Sequence, residues 1–172
     1  MKKKIFALLI LFGAVLMPAA AQKFALVDME YILKNIPAYE RANEQLNQTS
    51  RKWQAEVEAI NSQAKSLYTN YQNESVFLSA EQKKAKEKEI LDKEKEASEL
   101  KKKYFSPEGE LYKKRESLIG PIQEQIYTAV KTVAEQRGYQ LVLDRASDNG
   151  IVFASPAADI SNEVLAKLGY SK

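Results

Sequence analysis

The sequence predicts an α+β protein in which a small β-rich body carries one long antiparallel α-helical hairpin. Three observations predict it. β-prone runs occur only near the two ends of the chain, at Phe24–Asp28 and beyond Tyr139. About a hundred residues between them carry almost no strand pattern, and their first half shows a single apolar stripe at helical spacing. A helix-start signal near residue 79 then gives the chain a place to turn back.

The first element is expected to be removed. Lys2, Lys3 and Lys4 precede an apolar run from Ile5 to Met17 and then "PAAAQ". A basic start, a short apolar middle and small residues at a cut are the parts of a secretory signal. Ala19 and Ala21 place cleavage after Ala21, so residues 1–21 are assigned to the signal peptide. Read as a membrane anchor, the run falls short of the roughly 20 residues a bilayer core requires. With no Cys after the cut, a cysteine-linked lipid anchor is excluded. The expected product is exported and soluble.

Export changes the charge. The full chain has 26 Lys+Arg and 23 Asp+Glu, and residues 1–21 hold three Lys and no acid, so the mature count is 26 − 3 = 23 against 23. Zero net charge supplies no overall field for nucleic acid. His and Cys are absent. No disulfide framework, usual zinc site, or Ser-His or Cys-His nucleophile pair can be built without them. The reading is a non-enzyme without cofactor or metal. A carboxylate enzyme would need a pocket lined by Asp28, Asp144 or Asp159, for which charges around a β-hairpin are the simpler role.

The body is assigned to residues 22–37 and 138–172. Phe24–Asp28 reads as a short strand, followed by a helical turn or two ending at Pro37. "QLVL" (140–143) and "IVFA" (151–154) flank a loop containing Asn149-Gly150, which predicts a β-hairpin. A last helix is expected from Ser161, with Ile160 and Leu165 as a hydrophobic staple and Gly169 as its stop.

Residues 38–137 form the arm. Tyr39, Ala42, Leu46, Thr49, Trp53, Val57, Ile60, Ala64, Leu67 and Tyr71 follow one another at steps of three or four, a mean near 3.56. That lies between a strict heptad and a straight helix. Such a helix from Tyr39 to Glu74 reaches roughly 54 Å at about 1.5 Å per residue. Ser79 and Gln82 have the spacing of a capping box. Ser106-Pro107 in "FSPEGE" competes as a helix start. Placing the tip at 73–78 gives the more balanced lengths, 46 residues out (29–74) and 59 back (79–137), with the surplus absorbed by breaks at Pro107 and Gly120-Pro121. Along "EQKKAKEKEILDKEKEASELKKK" only Ala85, Ile90, Leu91, Ala97 and Leu100 are offered for burial. Pairs such as Lys83–Glu87, Glu89–Lys93, Lys95–Glu99 and Glu99–Lys103 are spaced to support an exposed helix.

The non-arm residues number 16 + 35 = 51. A body of that size buries too little surface to be comfortably stable alone, and three short strands leave open edges. With metal and disulfide excluded, association of several copies through a shared β core is the expected remedy; the competing reading is a monomer propped by its arms.

The start "KFALVDMEYIL", the return-arm ending "IQEQIYTAVKTVAEQRGYQLVLD" and the tail "DISNEVLAKL" bracket two long polar helices. Together they resemble the Skp/OmpH family of periplasmic chaperones across essentially the whole mature chain. The resemblance implies a homotrimer whose β-rich bodies associate and whose three helical arms enclose unfolded outer-membrane proteins, without ATP or cofactor. It further implies that Phe24, Leu26, Leu141, Leu143, Ile151 and Phe153 are body core or subunit interface. The alternative is an exported coiled-coil spacer or adaptor that docks its tip on a folded envelope partner.

Well-known members of that family are strongly basic, and this mature chain is neutral. Segment 39–81 has 4 basic and 6 acidic residues, and 82–137 has 14 and 11. General attraction to acidic lipid therefore loses its basis, and any anion contact is expected on the return arm, near Lys101–Lys103 and Lys113–Arg115. Tyr68, Tyr71, Val76, Phe77 and Leu78, at or below the tip, are candidates to grip client chains or, alternatively, to close the hairpin on itself. Pro107, Gly120 and Pro121 are candidate hinges or fixed kinks.

Overall fold

The computed structural model describes residues 23–147 and 150–170. The expected signal segment and Asn149 of the expected hairpin turn lie outside the described residues. The elements are β1 (Phe24–Val27), α1 (Met29–Lys34), α2 (Pro37–Glu74), a 3-10 turn (Ser75–Phe77), α3 (Ala80–Phe105), α4 (Glu110–Arg137), β2 (Leu141–Asp144), a second 3-10 turn (Pro156–Ala158) and α5 (Ser161–Lys167).

The outgoing arm follows its stripe. All ten positions from Tyr39 to Tyr71 are buried or half-buried, and between them only Asn43 and Ser50 are also shielded. The steps Thr49 to Trp53 to Val57 are both four. Such a stutter locally unwinds a heptad seam. On α3 the shielded residues up to its last turn are Lys83, Lys86, Ile90, Lys93, Ala97, Leu100 and Tyr104, an alternation of three and four, and Phe105 at its end is half-buried as well. Three inner positions are thus lysines, whose aliphatic stems cover the seam while their ammonium groups reach water. Ala85 and Leu91, expected inside, are exposed because they fall off this repeat. Of the four predicted ion pairs only Lys95–Glu99 forms, at 3.8 Å. The inward tilt of Lys86 and Lys93 pairs them instead with Glu89 and Glu96.

The return is broken once. α3 ends at Phe105 and α4 begins after Gly109, whose N–H donates to Ser106 O at 2.8 Å. The second expected interruption does not occur, because α4 runs unbroken through Gly120-Pro121. Buried Ile119 and Ile122 hold both sides of the proline to the core. Pro121 and Ser117, whose carbonyl loses its usual donor there, lie on the exposed face, where water can replace it. The surplus length of the return arm is therefore not lost in breaks. It runs alongside the body: Ile126, Ala129 and Val133 join Ala25, Ile32, Ile160 and Val164 in one buried cluster.

That overrun fixes the sheet. α4 ends at Gly138 (φ +70°), in the left-handed conformation glycine adopts without strain, and Tyr139 N–H donates to Ala134 O. The chain then pairs β2 with β1 in parallel, Phe24 opposite Leu141 and Val27 opposite Asp144. The expected hairpin is corrected accordingly. Residues 151–155 form no strand, and the 140–143 run finds its partner in β1 across a helical crossover, which is how parallel strands are joined. On the opposite edge of β1, Leu26 O accepts the Ile160 N–H at 2.9 Å. Ser161 does not cap α5. Asp159 Oδ1 accepts the Ser161 N–H, and Ser161 Oγ accepts the Asp28 N–H, both at 2.8 Å. Ile160 and Leu165 are buried, and Gly169 (φ +86°) closes the helix.

The body core is therefore larger than its 51 residues suggested, since the roots of α2 and α4 supply Ala42, Ile119, Ile122 and Ile126.

Candidate functional site

The arm end is built from a strong cap and an exposed turn. Gln82 N–H donates to Ser79 Oγ at 3.3 Å and Ser79 N–H donates to Gln82 Oε1 at 2.8 Å, so both halves of the capping box form. The three-residue 3-10 turn before it is too short to lay its side chains on either helix. Val76 is 79% and Phe77 86% exposed. Tyr68 is also exposed, on the outgoing helix, while Leu78 is half-buried. Tyr71 faces the seam, where its hydroxyl donates to Glu87 on α3. That hydrogen bond, then burial, raises its pKa. The five tip candidates thus divide. Tyr71 bonds across the hairpin and Leu78 is half-buried at its turn, whereas Tyr68, Val76 and Phe77 stay exposed.

Midway along the arm, Trp53 stacks on Tyr104 with centroids 4.6 Å apart and planes 2° from parallel. Tyr104 is 8% exposed, and its hydroxyl lies 3.1 Å from Glu56 Oε2, to which it donates. Burial and then the Glu56 hydrogen bond raise its pKa. Phe105 meets the Tyr104 ring edge-on, and Lys103 Nζ lies 5.5 Å from its centroid. This cluster stands at the stutter of α2 and at the end of α3. Pro107 occupies the exposed crown of the turn that follows. Gly109 is required there, since a Cβ would lie 2.8 Å from Tyr104 O and 2.9 Å from Lys103 O. Just below, a cavity of about 530 Å³ opens between the root of α2 and the start of α4, lined by residues including Leu46, Phe105, Leu111 and Arg115. In the sequence Leu46 and Trp53 were read only as positions of the apolar stripe, Lys103 and Arg115 only as parts of basic runs, and Ser106-Pro107 only as a helix start or break; Tyr104, Phe105 and Leu111 were not singled out. The stutter around Trp53 was its only signal.

In the body, Leu26 is buried by β2 and the Asp159 bridge, and Ile151 is half-buried. Phe24 (53%), Phe153 (86%), Leu141 and Leu143 are exposed, as is Val152. These four candidates are therefore not core within one chain. The core is made above all by Ile32, Ile126 and Val164, which the sequence left unmarked, and by Ile160, which it marked only as half of a staple. The spacing of Ile119, Ile122, Ile126, Ala129 and Val133, in steps of three and four, carried that signal.

The three aspartates are structural acceptors, not hairpin charges. Asp28 Oδ1 caps α1 at Tyr31 N–H, and Asp144 Oδ1 accepts the Met29 and Ala146 N–H groups. Arg145 bridges Asp28 and Asp159, each at 3.2 Å. Among the described residues no group of three acidic, His or Cys side chains is placed to hold a metal, and no helix is long and apolar enough to cross a membrane.

Comparison with known proteins agrees with this architecture. The family model described as "Outer membrane protein (OmpH-like)" matches residues 23–168. "Chaperone protein Skp" of Yersinia enterocolitica is 26% identical over 145 residues, covering 84% of this chain and 85% of the relative. Its namesake in Pectobacterium atrosepticum is 25% identical over 146 residues, 85% of either chain. A crystal structure of an OmpH-like outer membrane chaperone candidate from Caulobacter crescentus superposes with a TM-score of 0.66. It covers 87% of this chain and 85% of its own at 13% identity, a likeness of fold.

Proposed function

The chain belongs to the OmpH-like family, and from that premise we propose that it is a periplasmic, ATP-independent holding chaperone. It associates as a homotrimer through its bodies, encloses unfolded outer-membrane proteins between its arms and keeps them from aggregating. It is not an enzyme and uses no cofactor.

The observation that carries this reading is the distribution of unpartnered apolar surface. Part of it lies on the body, where Phe24, Leu141 and Leu143 are exposed on the two paired strands and Val152 and Phe153 on the segment that follows β2. Among the described residues, β2 pairs with β1 alone and leaves its outer edge open. Exposed apolar groups beside an open strand edge favour association with another chain. Another part, Val76 and Phe77, stands at the far end of a polar arm. Several arms on one associated body surround a space with mobile polar walls and few apolar contacts, which suits a client that must not be held in one shape. Exported clients and a periplasmic place are inferred from the expected signal peptide, and the relatives' name supports a chaperone role.

The test is dilution of a denatured outer-membrane β-barrel into buffer containing the mature protein. Light scattering is expected to fall as the protein approaches one trimer per client. Undiminished aggregation at molar excess overturns the reading.

A further inference from the structure

We propose that the cavity between the root of α2 and the α3–α4 turn is a binding site for an extended polypeptide segment that carries an aromatic side chain next to a carboxylate. The site rests on the holding reading above and places a specific contact at the base of the arm, away from the tip.

The cavity has a structural cause. α2 packs on α3 along its outer half and on α4 along its root. At the exchange, the stutter at Thr49–Val57 and the turn at Ser106–Gly109 interrupt both seams, so neither heptad carries across. The resulting space, about 530 Å³, falls within the roughly 300–1,000 Å³ typical of ligand sites.

Its chemistry is two-sided. Leu46, Phe105 and Leu111 give an apolar floor, half-buried and open to a guest side chain. Tyr39 and Tyr112 add aromatic rings, which stack favourably on another ring. On the rim, Ser50 Oγ accepts from Gln54 Nε2 at 3.4 Å, and three other polar side chains are left without a partner. Among the described residues the Asn43 and Asn47 amides make no hydrogen bond and Arg115 makes no ion pair, although its neighbour Lys113 is paired with Glu110 at 3.2 Å. Asn43 and Asn47, one helical turn apart, can each donate to and accept from an extended backbone. The Arg115 guanidinium offers a planar set of donors that matches a carboxylate. An apolar floor with a single unpaired cation at its edge complements an aromatic side chain flanked by Asp or Glu.

The probes are short fluorescein-labelled Gly/Ser peptides with one central Phe-Asp, Phe-Lys or Ala-Asp pair, titrated with the mature protein and read by anisotropy. Phe-Asp is expected to bind about two- to fivefold more tightly than Phe-Lys, the yield of a partly exposed ion pair. It is expected to exceed Ala-Asp about tenfold, the yield of burying an aromatic ring. Arg115→Glu, a surface change, should reverse the Asp-over-Lys preference. Asn47→Trp should fill the site and abolish binding of all three, with helicity checked by circular dichroism. Equal affinities for the three peptides, or a preference untouched by Arg115→Glu, overturn the site. The same preparations are assayed for holding a denatured barrel. Holding without peptide preference removes the site and leaves the function, whereas preference without holding does the reverse.

Discussion

The indole of Trp53 lies flat against the ring of Tyr104, 4.6 Å away, and thereby joins the outgoing helix to the last turn of α3 where the returning helix breaks. A stacked pair there holds together two seams that do not share a register. Trp53→Ala removes that joint. The expected cost is about 2 kcal/mol, below the 3–5 kcal/mol of a fully buried aromatic because the indole is half-exposed. Hydrogen exchange should show the loss concentrated in α3 and in α2 beyond Trp53. The amides of Ile32, Ile126 and Val164 should keep their protection.

Two tyrosines should titrate late. The pKa values of Tyr71 and Tyr104 are raised above the ordinary tyrosine value of about 10, so the folded state holds those protons more tightly than the unfolded one. Their contribution to stability is complete below about pH 10 and is lost as pH rises through the raised values. Phenolate absorbance should resolve both groups. The causes differ in order, so the variants should differ too. Glu87→Gln is expected to remove most of the Tyr71 shift, because the hydrogen bond leads there. Glu56→Gln should remove only part of the Tyr104 shift, because burial leads.

The two glycines of the return arm should respond in opposite directions. At Gly109 an added Cβ meets backbone oxygens at 2.8 and 2.9 Å, which no side-chain movement relieves. Gly109→Ala should destabilise by about 1–3 kcal/mol as the turn is forced open. Gly120 sits inside α4, where apart from its chain neighbours and its own helix backbone nothing lies within 4 Å of its Cβ position, and Pro121 is one of those neighbours. Gly120→Ala should stabilise by no more than about 0.5 kcal/mol, because contact of the new Cβ with the Pro121 ring offsets part of the gain in helix propensity. Thermal unfolding of the two variants checks the signs. A Gly120→Ala protein less stable than wild type would show that the clash with the Pro121 ring outweighs the gain in helix propensity.

The long outgoing helix was legible in the sequence because its seam residues are mostly large and apolar, from Leu46 and Trp53 to Leu67 and Tyr71. The returning seam was not, because Lys83, Lys86 and Lys93 occupy it and a lysine stem is invisible to a hydrophobicity pattern. The Ser79–Gln82 cap was readable because it is local. The partner of residues 140–143 was not, because Asn149-Gly150 suggested a nearby hairpin while the crossover places β1 alongside from over a hundred residues away. Pro121 misled for a related reason. A proline marks a break only where neighbours cannot hold the helix, and Ile119 and Ile122 hold it.

The tip separates stability from holding. Val76 and Phe77 touch little, so Val76→Ser with Phe77→Ser should change stability by no more than about 0.5 kcal/mol, as surface changes do. Suppression of barrel aggregation should weaken measurably but not vanish, because a holding surface spreads its contacts. Complete loss from these two changes would point instead to a docking tip that recognises one folded partner.

The outer arm offers the sharpest test of how its seam is held. Ile90 is the one branched aliphatic among the five shielded residues of α3 before Leu100, and it is 6% exposed. Lysines stand one step to either side of it, Lys86 and Lys93. Ile90→Ala should cost about 2–3 kcal/mol, toward the lower end for a buried aliphatic because the neighbouring lysine stems can close on the gap. Lys93→Leu places an apolar group at a seam position and gives up a partly exposed ion pair with Glu96. It should stabilise the arm by about 1 kcal/mol, since burying apolar area outweighs a surface pair. Proteolysis at the arm end reads both changes, faster for Ile90→Ala and slower for Lys93→Leu. If lysine at this position is kept so that the outer seam can open to a client, the Lys93→Leu protein should also hold a denatured barrel less well despite its greater stability.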